Sequence, residues 1–178
     1  LETLQDKLPE FEKSEATLIL KKGLGENVYN NISEFSGPIA AASIAQVHFA
    51  KIKINGDIKE VAIKILRPSI EKIFNEEIDA LMLLASLTES VVSKSKRLKL
   101  IEVVHLLREI TNLEMDLRFE AAAANELYEN TKDDIGFNVP KIYWNFTTKN
   151  ILTLDKIDGI SIRETEQLKR NRIDVTKL

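Results

Sequence analysis

The sequence has no cysteine and only two histidines, His48 and His105, among its 178 residues. Without cysteine the chain can form no disulfide, thiolate nucleophile or cysteine-ligated metal centre, and this composition fits a reducing cytoplasm. The two histidines lie far apart in the sequence and outside any HExxH pattern, the spacing that places two histidine ligands on one helix face. We therefore expect no metal-binding residue in this chain.

The sequence is also short of net charge and of long apolar runs. With a net charge of -3 and a pI near 5.6, it offers no broadly basic surface, so we expect no nucleic-acid partner. Its densest basic run, at 94–99, is short and typical of a solvated loop between helices. The apolar stretches near 81–87 and 101–107 are interrupted well before the roughly 18–20 residues that cross a bilayer.

The first third of the chain predicts short helices followed by a hairpin. Residues 1–33 are helical in pattern, with glycines where a helix would end. Residues 44–54 alternate between apolar and polar side chains, which predicts a half-buried strand. The sequence Asn55-Gly56-Asp57 predicts a tight turn, because asparagine and glycine tolerate positive φ, and Lys59–Leu66 is the return strand.

The rest of the chain predicts two long helices and a second hairpin. Apolar residues repeat at helical spacing from Pro68 to about Val92, and again from about Leu100 to Glu129. The segments Val139–Phe146 and Asn150–Leu154 predict a second pair of short strands. The predicted fold class is therefore α+β, an antiparallel sheet with helices packed on one face.

The most unusual motif is the small-residue run Pro38-Ile-Ala-Ala-Ala-Ser-Ile-Ala-Gln-Val-His48, between two predicted strands. Small side chains at a strand–strand turn let a ligand approach the backbone, as glycine-rich phosphate loops do, and Ser43 adds a hydroxyl. The alternative is that a run of alanines simply favours a helix.

Two further motifs suggest a lysine and its partner. The strand Val61-Ala62-Ile63-Lys64 carries one lysine about 20 residues after the alanine-rich turn, the order in which protein kinases place their phosphate-binding lysine. The run 114–120 carries acidic residues inside the second predicted helix, where Asp116 and Glu120 would share a face. Alternatively, the lysine and the acids are ordinary solvated charges. The alanines at 121–124 favour close packing and hence a lysine partner for a buried carboxylate.

Together these motifs resemble the UbiB family of atypical protein-kinase-like proteins, which support ubiquinone biosynthesis. The resemblance covers roughly residues 1–162 and implies the small lobe of a protein kinase, with two long helices and an N-terminal helical extension. It implies three regions: an extension at 1–33, a small lobe at 34–160, and the start of a large lobe or tail at 161–178. The matching pieces are Leu4-Gln-Asp-Lys-Leu-Pro9, Ala40–His48, Val61–Lys64 with Arg67-Pro68, Glu114-x-Asp116-x-x-x-Glu120-Ala121, and Leu152–Asp155 with Ile157-Asp158-Gly159.

The resemblance also implies individual roles. An alanine-rich loop in the family replaces the kinase glycine-rich loop, and a lysine with a helical glutamate partner holds the nucleotide. The family's ExD motif faces an N-terminal KxGQ element, and a hinge after the last strand contacts adenine through its backbone. The expected nucleotide-binding residues are Ala40, Ala41, Ala42, Ser43, Lys64, Glu120, Leu154 and Lys156; Glu114 and Asp116 form the ExD pair, and Asp155 replaces a more usual glutamate in the hinge.

The family's activity leads us to expect ATP and magnesium as cofactors and an atypical kinase or ATPase. Ubiquinone-biosynthesis proteins or membrane lipids are the expected partners, at the cytoplasmic side of an inner membrane. The resemblance leads us to expect the KxGQ element before Leu1 and the catalytic loop and metal-binding aspartate after Gly159, where residues 161–178 match neither. We therefore expect a piece of a longer protein, inactive alone and without catalytic residues of its own. A non-catalytic interaction module that docks through the helices near Leu81–Leu87, and a split-gene relic, are the alternatives.

Overall fold

The computed structural model describes residues 9–92, 95–162 and 164–173. Several sequence predictions fall outside these residues: most of the match at 4–9, Lys94 of the basic run, Arg163, and the end of the tail at 174–178. Six α-helices and five strands are present in the described residues. They are α1 Lys13–Leu24, α2 Glu26–Tyr29, β1 Ile32–Ser33, β2 Pro38–Ala41, β3 Ala45–Ile54, β4 Asp57–Leu66, α3 Ile70–Val91, α4 Leu100–Glu114, α5 Leu117–Thr131, β5 Ile151–Asp155 and α6 Thr165–Arg170, with short 3-10 turns at Ser95–Leu98 and Trp144–Phe146.

The hairpin of β3 and β4 is the centre of the fold, and the sequence predicted it correctly. The two strands pair antiparallel along their whole length, from Ala45 opposite Leu66 to Ile54 opposite Asp57. Both residues of the connecting turn have positive φ, 51° at Asn55 and 95° at Gly56. This is the turn geometry whose twist matches that of the flanking strands.

The other strands extend this hairpin into an antiparallel sheet of five strands, as the predicted fold class requires. β1 and β2 pair with successive parts of β3, and β5 pairs with β4. The helices cover both faces of the sheet, whereas the sequence had suggested one. Because neighbouring strand residues point to opposite faces, Ile63 packs with Leu20 of α1, and Leu66 packs with Leu117 of α5.

The predicted helix from Leu100 to Glu129 is wrong: the structure has two helices, α4 and α5, with a break at Met115–Asp116. Asp116 has an extended backbone, φ −127° and ψ 95°, and its side chain accepts a hydrogen bond from the N–H of Arg118. An aspartate in this role caps a new helix rather than continuing the old one. Met115 and Leu117 on either side are buried, which fixes the bend against the sheet.

The predicted second hairpin is half correct. β5 is a strand, but residues 139–146 contribute one isolated bridge, Ile142 opposite Leu154, and the 3-10 turn at Trp144–Phe146. Pro140 has no amide proton to give to a strand ladder. The 3-10 turn also places the side chain of Phe146, which is 4% exposed, in the core. The chain turns there and does not continue as a regular strand.

Helices α3 and α4 form an antiparallel hairpin with one polar and one apolar flank. Their contact is a narrow stripe of Ile78, Ala85 and Val104, and an ion pair of Arg108 with Asp79 lies on the polar flank. Within the described residues, none of the helices combines the length and apolarity that crossing a bilayer requires. The large apolar side chains of this hairpin that remain exposed are Ile73, Leu81, Leu83, Leu84, Leu87, Val91, Val103, Leu106, Leu107, Ile110 and Leu113.

Candidate functional site

Lys64 lies on the face of the sheet that α5 covers. It is opposite Val47 on one side and Leu152 on the other. Leu66, two residues further along β4, is opposite Ala45, the first residue of β3 after the alanine-rich turn. A strand rises about 3.3 Å per residue, so Lys64 is about 7 Å along the strand from the end of that turn. The hairpin register thus brings the lysine and the turn to one end of one face.

Glu120 comes to Lys64 from the first turn of α5. The ammonium Nζ of Lys64 donates to a carboxylate oxygen of Glu120 at 2.6 Å. Ala121, the next residue, is fully buried against the sheet with Leu117, so the helix cannot rotate without losing this packing. The predicted lysine–glutamate pairing is therefore present, and it joins two elements that are 56 residues apart in sequence.

The alanine-rich turn is an exposed connection between β2 and β3. Ala40, Ala42 and Ser43 are exposed, and Ala41 is half-buried. The N–H of Ala42 donates to the carbonyl of Ala45 at 2.8 Å, which closes the turn. Ala40 and Ala41 end strand β2, and Ala42 and Ser43 lie in the predicted strand–strand turn, so the alternative of a helix is wrong. Binding of phosphate there stays a prediction.

The first two residues of the predicted hinge end β5. Leu154 packs its side chain, half-buried, against the cluster under α5. Asp155 accepts a hydrogen bond from the hydroxyl of Tyr143 at 2.5 Å. Burial of the tyrosine is the main reason that its pKa is raised above the ordinary value, and this hydrogen bond is the second. The carboxylate of Asp155 therefore takes part in a hydrogen bond inside the domain. A glutamate at this position would alter that structural contact.

Lys156 continues the hinge and is held by charges of its own. Its ammonium lies 3.2 Å from Glu60 and 3.5 Å from Asp158, and it sits 5.2 Å from the ring centre of Phe49. The hydrogen bond to Glu60 is the main reason that the pKa of Lys156 is raised. Its backbone N–H donates to the carbonyl of Glu60 at 3.1 Å. A nucleotide contact through this N–H would have to compete with the sheet.

The two acids of the predicted ExD pair are in different elements. Glu114 is exposed in the last turn of α4, whereas Asp116 is the buried cap of α5. The guanidinium of Arg118 binds Asp116 through both carboxylate oxygens, with a shortest contact of 2.6 Å, and this lowers the pKa of the aspartate. The interpretation that Asp116 and Glu120 share one helical face is wrong, because the helix starts only at Leu117.

Gln46 and His48, which complete the alanine-rich motif, form a buried network that the sequence did not reveal. The amide of Gln46 donates to the carbonyl of Phe11 at 3.1 Å and accepts from its N–H at 3.2 Å. The same amide nitrogen lies 2.9 Å from His48 Nε2, and His48 Nδ1 lies 3.1 Å from the carbonyl of Ser36. These partners assign a neutral His48 that donates through Nδ1 and accepts through Nε2.

This network predicts loss of stability in mild acid. Burial lowers the pKa of His48 below the ordinary histidine value of 6.5, so below pH ~6.5 the unfolded chain binds a proton that the folded one resists. The contribution of His48 to stability is thus fully present above pH ~6.5. It is lost as the pH falls toward the lower pKa that His48 has in the folded state. Thermal melts across this range should show a falling transition temperature that is flatter in His48→Gln. The exposed His105→Gln serves as a control, and a wild-type slope in His48→Gln would contradict the assignment.

Arg67 is the other residue whose place the sequence did not predict. Its guanidinium donates to the carbonyls of Ala42 and Pro9, at 3.0 and 2.8 Å. The hairpin register could have predicted that Arg67 lies next to the turn. Arg67 directly follows Leu66, the residue that pairs with Ala45. Nothing in the pattern of the strand itself distinguished it from a solvated arginine.

The predicted site combines one cation with an exposed turn. Lys64 supplies a cation, and the turn supplies exposed backbone without bulky side chains. In the part of the chain that the structure describes, no three histidine, cysteine or acidic side chains come together as a metal site requires. A separate cavity of about 890 Å³ lies between α1 and the start of α3, lined by residues such as Leu18, Gly23 and Ile70, and includes none of the predicted site residues.

Comparison with known families identifies what the chain is similar to. The family model described as the ABC1 atypical kinase-like domain matches residues 3–178. This match covers the sheet, the lysine–glutamate pair and the alanine-rich turn.

Comparison with curated proteins gives relatives that share one printed name, "Probable protein kinase UbiB". The relative from Marinobacter nauticus is 37% identical over 179 residues, which covers 100% of this chain and 32% of the relative. The relative from Cellvibrio japonicus is 35% identical over 179 residues with the same coverage, and that from Pseudomonas aeruginosa is 35% identical over 176 residues, 98% of this chain and 32% of the relative. The chain spans about a third of the length of the curated relatives it matches.

Proposed function

This chain belongs to the ABC1 atypical kinase-like family, and we propose that it binds the phosphates of ATP between the alanine-rich turn and Lys64. The observation that carries the proposal is the ion pair of Lys64 with Glu120, 2.6 Å long, beside that turn. A lysine held by a helical glutamate presents its ammonium in a fixed direction, which is how kinases orient a phosphate contact. The kinase name of the relatives supports the same reading.

The energetics of the pair support a role in binding more than one in stability. The side chains of Lys64 and Glu120 are 27% and 48% exposed. Ion pairs this open to solvent contribute only about 0.2–1 kcal/mol to folding, because water screens them. Replacing either residue should therefore leave a folded domain, and a loss of ligand binding can be separated from unfolding.

For the whole protein we propose a UbiB-type atypical kinase or ATPase that supports ubiquinone biosynthesis at the cytoplasmic surface of a membrane. The family match and the printed name of the relatives support this assignment. Magnesium would accompany ATP. Its ligands would be phosphate oxygens and residues outside the described part of the chain. The backbone of Leu154–Lys156 would meet the adenine. Glu114 and Asp116, the α5 cap, would face the N-terminal KxGQ element of the family.

The test is whether Mg-ATP stabilises the full-length protein through Lys64. A ligand that binds only the folded state stabilises it by RT ln(1 + [L]/Kd), about 2.7 kcal/mol at a concentration of 100 Kd. We expect an upward shift of the melting temperature with millimolar Mg-ATP and no shift in Lys64→Ala. Isothermal titration of both proteins gives the affinities directly.

The control is Lys59→Ala, which removes an exposed lysine from the same strand. It should keep the wild-type shift. If Lys64→Ala binds Mg-ATP as tightly as wild type, the assigned role of Lys64 is wrong. If the wild-type protein binds no nucleotide at all, the proposed function fails, and the interaction-module alternative with its exposed α3–α4 face takes precedence.

A further inference from the structure

Most of the alanine-rich turn has no side chain that could hold it in place, because only Ile44, at its end, packs against the cluster of Leu66 and Leu117. Its alanines carry only methyl groups, and Ser43 is exposed. The backbone bond from Ala42 to Ala45 closes the turn but does not fix its direction relative to Lys64. The direction of Ala42 and Ser43 relative to Lys64 therefore depends on groups outside the turn as well.

Arg67 is such a group, and it holds the turn at two points. Its Nε and one terminal nitrogen donate to the carbonyl of Ala42 at 3.1 and 3.0 Å. Its backbone N–H donates to the carbonyl of Ile44 at 2.8 Å. The planar fork of arginine directs several donors at fixed angles, so two nitrogens on one carbonyl restrict both the distance and the direction of the turn.

The opposite side of the guanidinium is anchored to the segment before α1. Its remaining terminal nitrogen donates to the carbonyl of Pro9 at 2.8 Å, and its central carbon lies 6.0 Å from the ring centre of Phe11. The buried amide of Gln46 holds the backbone of Phe11 through two hydrogen bonds. Arg67 thus lies between a fixed anchor and a turn that is otherwise held by the β2–β3 pairing, by its own Ala42–Ala45 bond and by Ile44.

We propose that Arg67 is a positioning residue that sets the alanine-rich turn for phosphate, acting through the carbonyl of Ala42. The proposal rests on the proposed function for its effect on nucleotide, but not for its effect on the turn itself. Lysine keeps the charge and offers a single compact ammonium, which cannot reproduce the fork on Ala42 together with the bond to Pro9. Arg67→Lys is therefore the informative substitution.

The experiment compares Arg67→Lys with wild type in the full-length protein by two measurements. The first is hydrogen exchange, which should become faster at the amide of Ala42, whose hydrogen bond to Ala45 closes the turn, while the central part of the β3–β4 hairpin keeps its protection. The second is the affinity for Mg-ATP and for adenosine, which lacks phosphates. We expect the Kd for Mg-ATP to rise about ten-fold, since two charge-assisted hydrogen bonds are lost, with the Kd for adenosine nearly unchanged.

The matched control is Arg108→Lys, which alters an ion pair on the α3–α4 hairpin away from the turn. It should change neither measurement. Unchanged exchange at the amide of Ala42 in Arg67→Lys would overturn the proposal whether or not the protein binds nucleotide. Equal losses for Mg-ATP and adenosine would also overturn it, since they would indicate a general structural role. Absence of binding in wild type, with faster exchange in Arg67→Lys, would reject the proposed function and retain the positioning role.

Discussion

Exchanging the charges of Lys64 and Glu120 should restore their ion pair without restoring ATP binding. Glu120→Lys alone places two ammonium groups where the present contact is 2.6 Å, and Lys64→Glu alone places two carboxylates there. Either single change should lower stability by about 0.5–1 kcal/mol through the lost attraction and the new repulsion. The double variant Lys64→Glu/Glu120→Lys has opposite charges again and should recover most of that loss.

ATP binding should behave differently from stability in these variants. A phosphate needs the cation at the end of the strand, beside the turn, and the double variant places a carboxylate there. The stabilisation by Mg-ATP, about 2.7 kcal/mol at 100 Kd, should be absent in Lys64→Glu and in the double variant, and weakened in Glu120→Lys, which keeps the cation but not the carboxylate that orients it. Urea unfolding measured with and without Mg-ATP gives both quantities for each protein.

The ion pair of Lys149 with Glu71 provides the matched control, because its contact of 2.8 Å and its exposures of 43% and 52% are similar. Exchanging those two charges should give the same pattern in stability and should leave the stabilisation by Mg-ATP intact. Recovery of ATP binding in Lys64→Glu/Glu120→Lys would show that the pair acts on its surroundings and that Lys64 does not contact phosphate.

The parts of the fold that were predictable are those set by local chemistry. Asn55-Gly56 specifies a tight turn by its backbone alone, and the alternation of residues 44–54 specifies a strand, so the central hairpin followed directly. The position of Lys64 beside the alanine-rich turn then follows from strand register. The alanines at 121–124 pointed to a lysine partner for a helical carboxylate, and the family resemblance connected Lys64 with Glu120 specifically.

The parts that were missed depend on contacts between distant segments. The run 100–129 has continuous helical spacing, and only the burial of Met115 and the packing of Leu117 against the sheet show why Asp116 caps a second helix there. Residues 139–146 have strand-like composition, but burying Phe146 turns the chain instead. Arg67 looks like any arginine after a strand until its partner Pro9, 58 residues away, is known.

Leu117→Ala should be the most destabilising single substitution near the site, because this side chain holds α5 against the sheet. Leu117 is 1% exposed and packs in a cluster with Ala45, Leu66 and Leu152. Truncating a buried leucine to alanine costs about 2–5 kcal/mol, from lost burial and from the cavity that remains. A domain of ordinary stability, about 5–15 kcal/mol, would lose a large part of its reserve.

Leu127→Ala on the same helix makes the same chemical change at a position that is 45% exposed. Its cost should fall within about 0.5–1 kcal/mol, because little apolar surface and no cavity are involved. Urea unfolding of both variants, with unchanged slopes, measures the two costs on one scale. Equal costs would mean that α5 is not anchored through Leu117. Glu120 lies one turn further along α5 and holds the ammonium of Lys64. If Leu117 does not anchor the helix, some other contact must set the direction of Lys64.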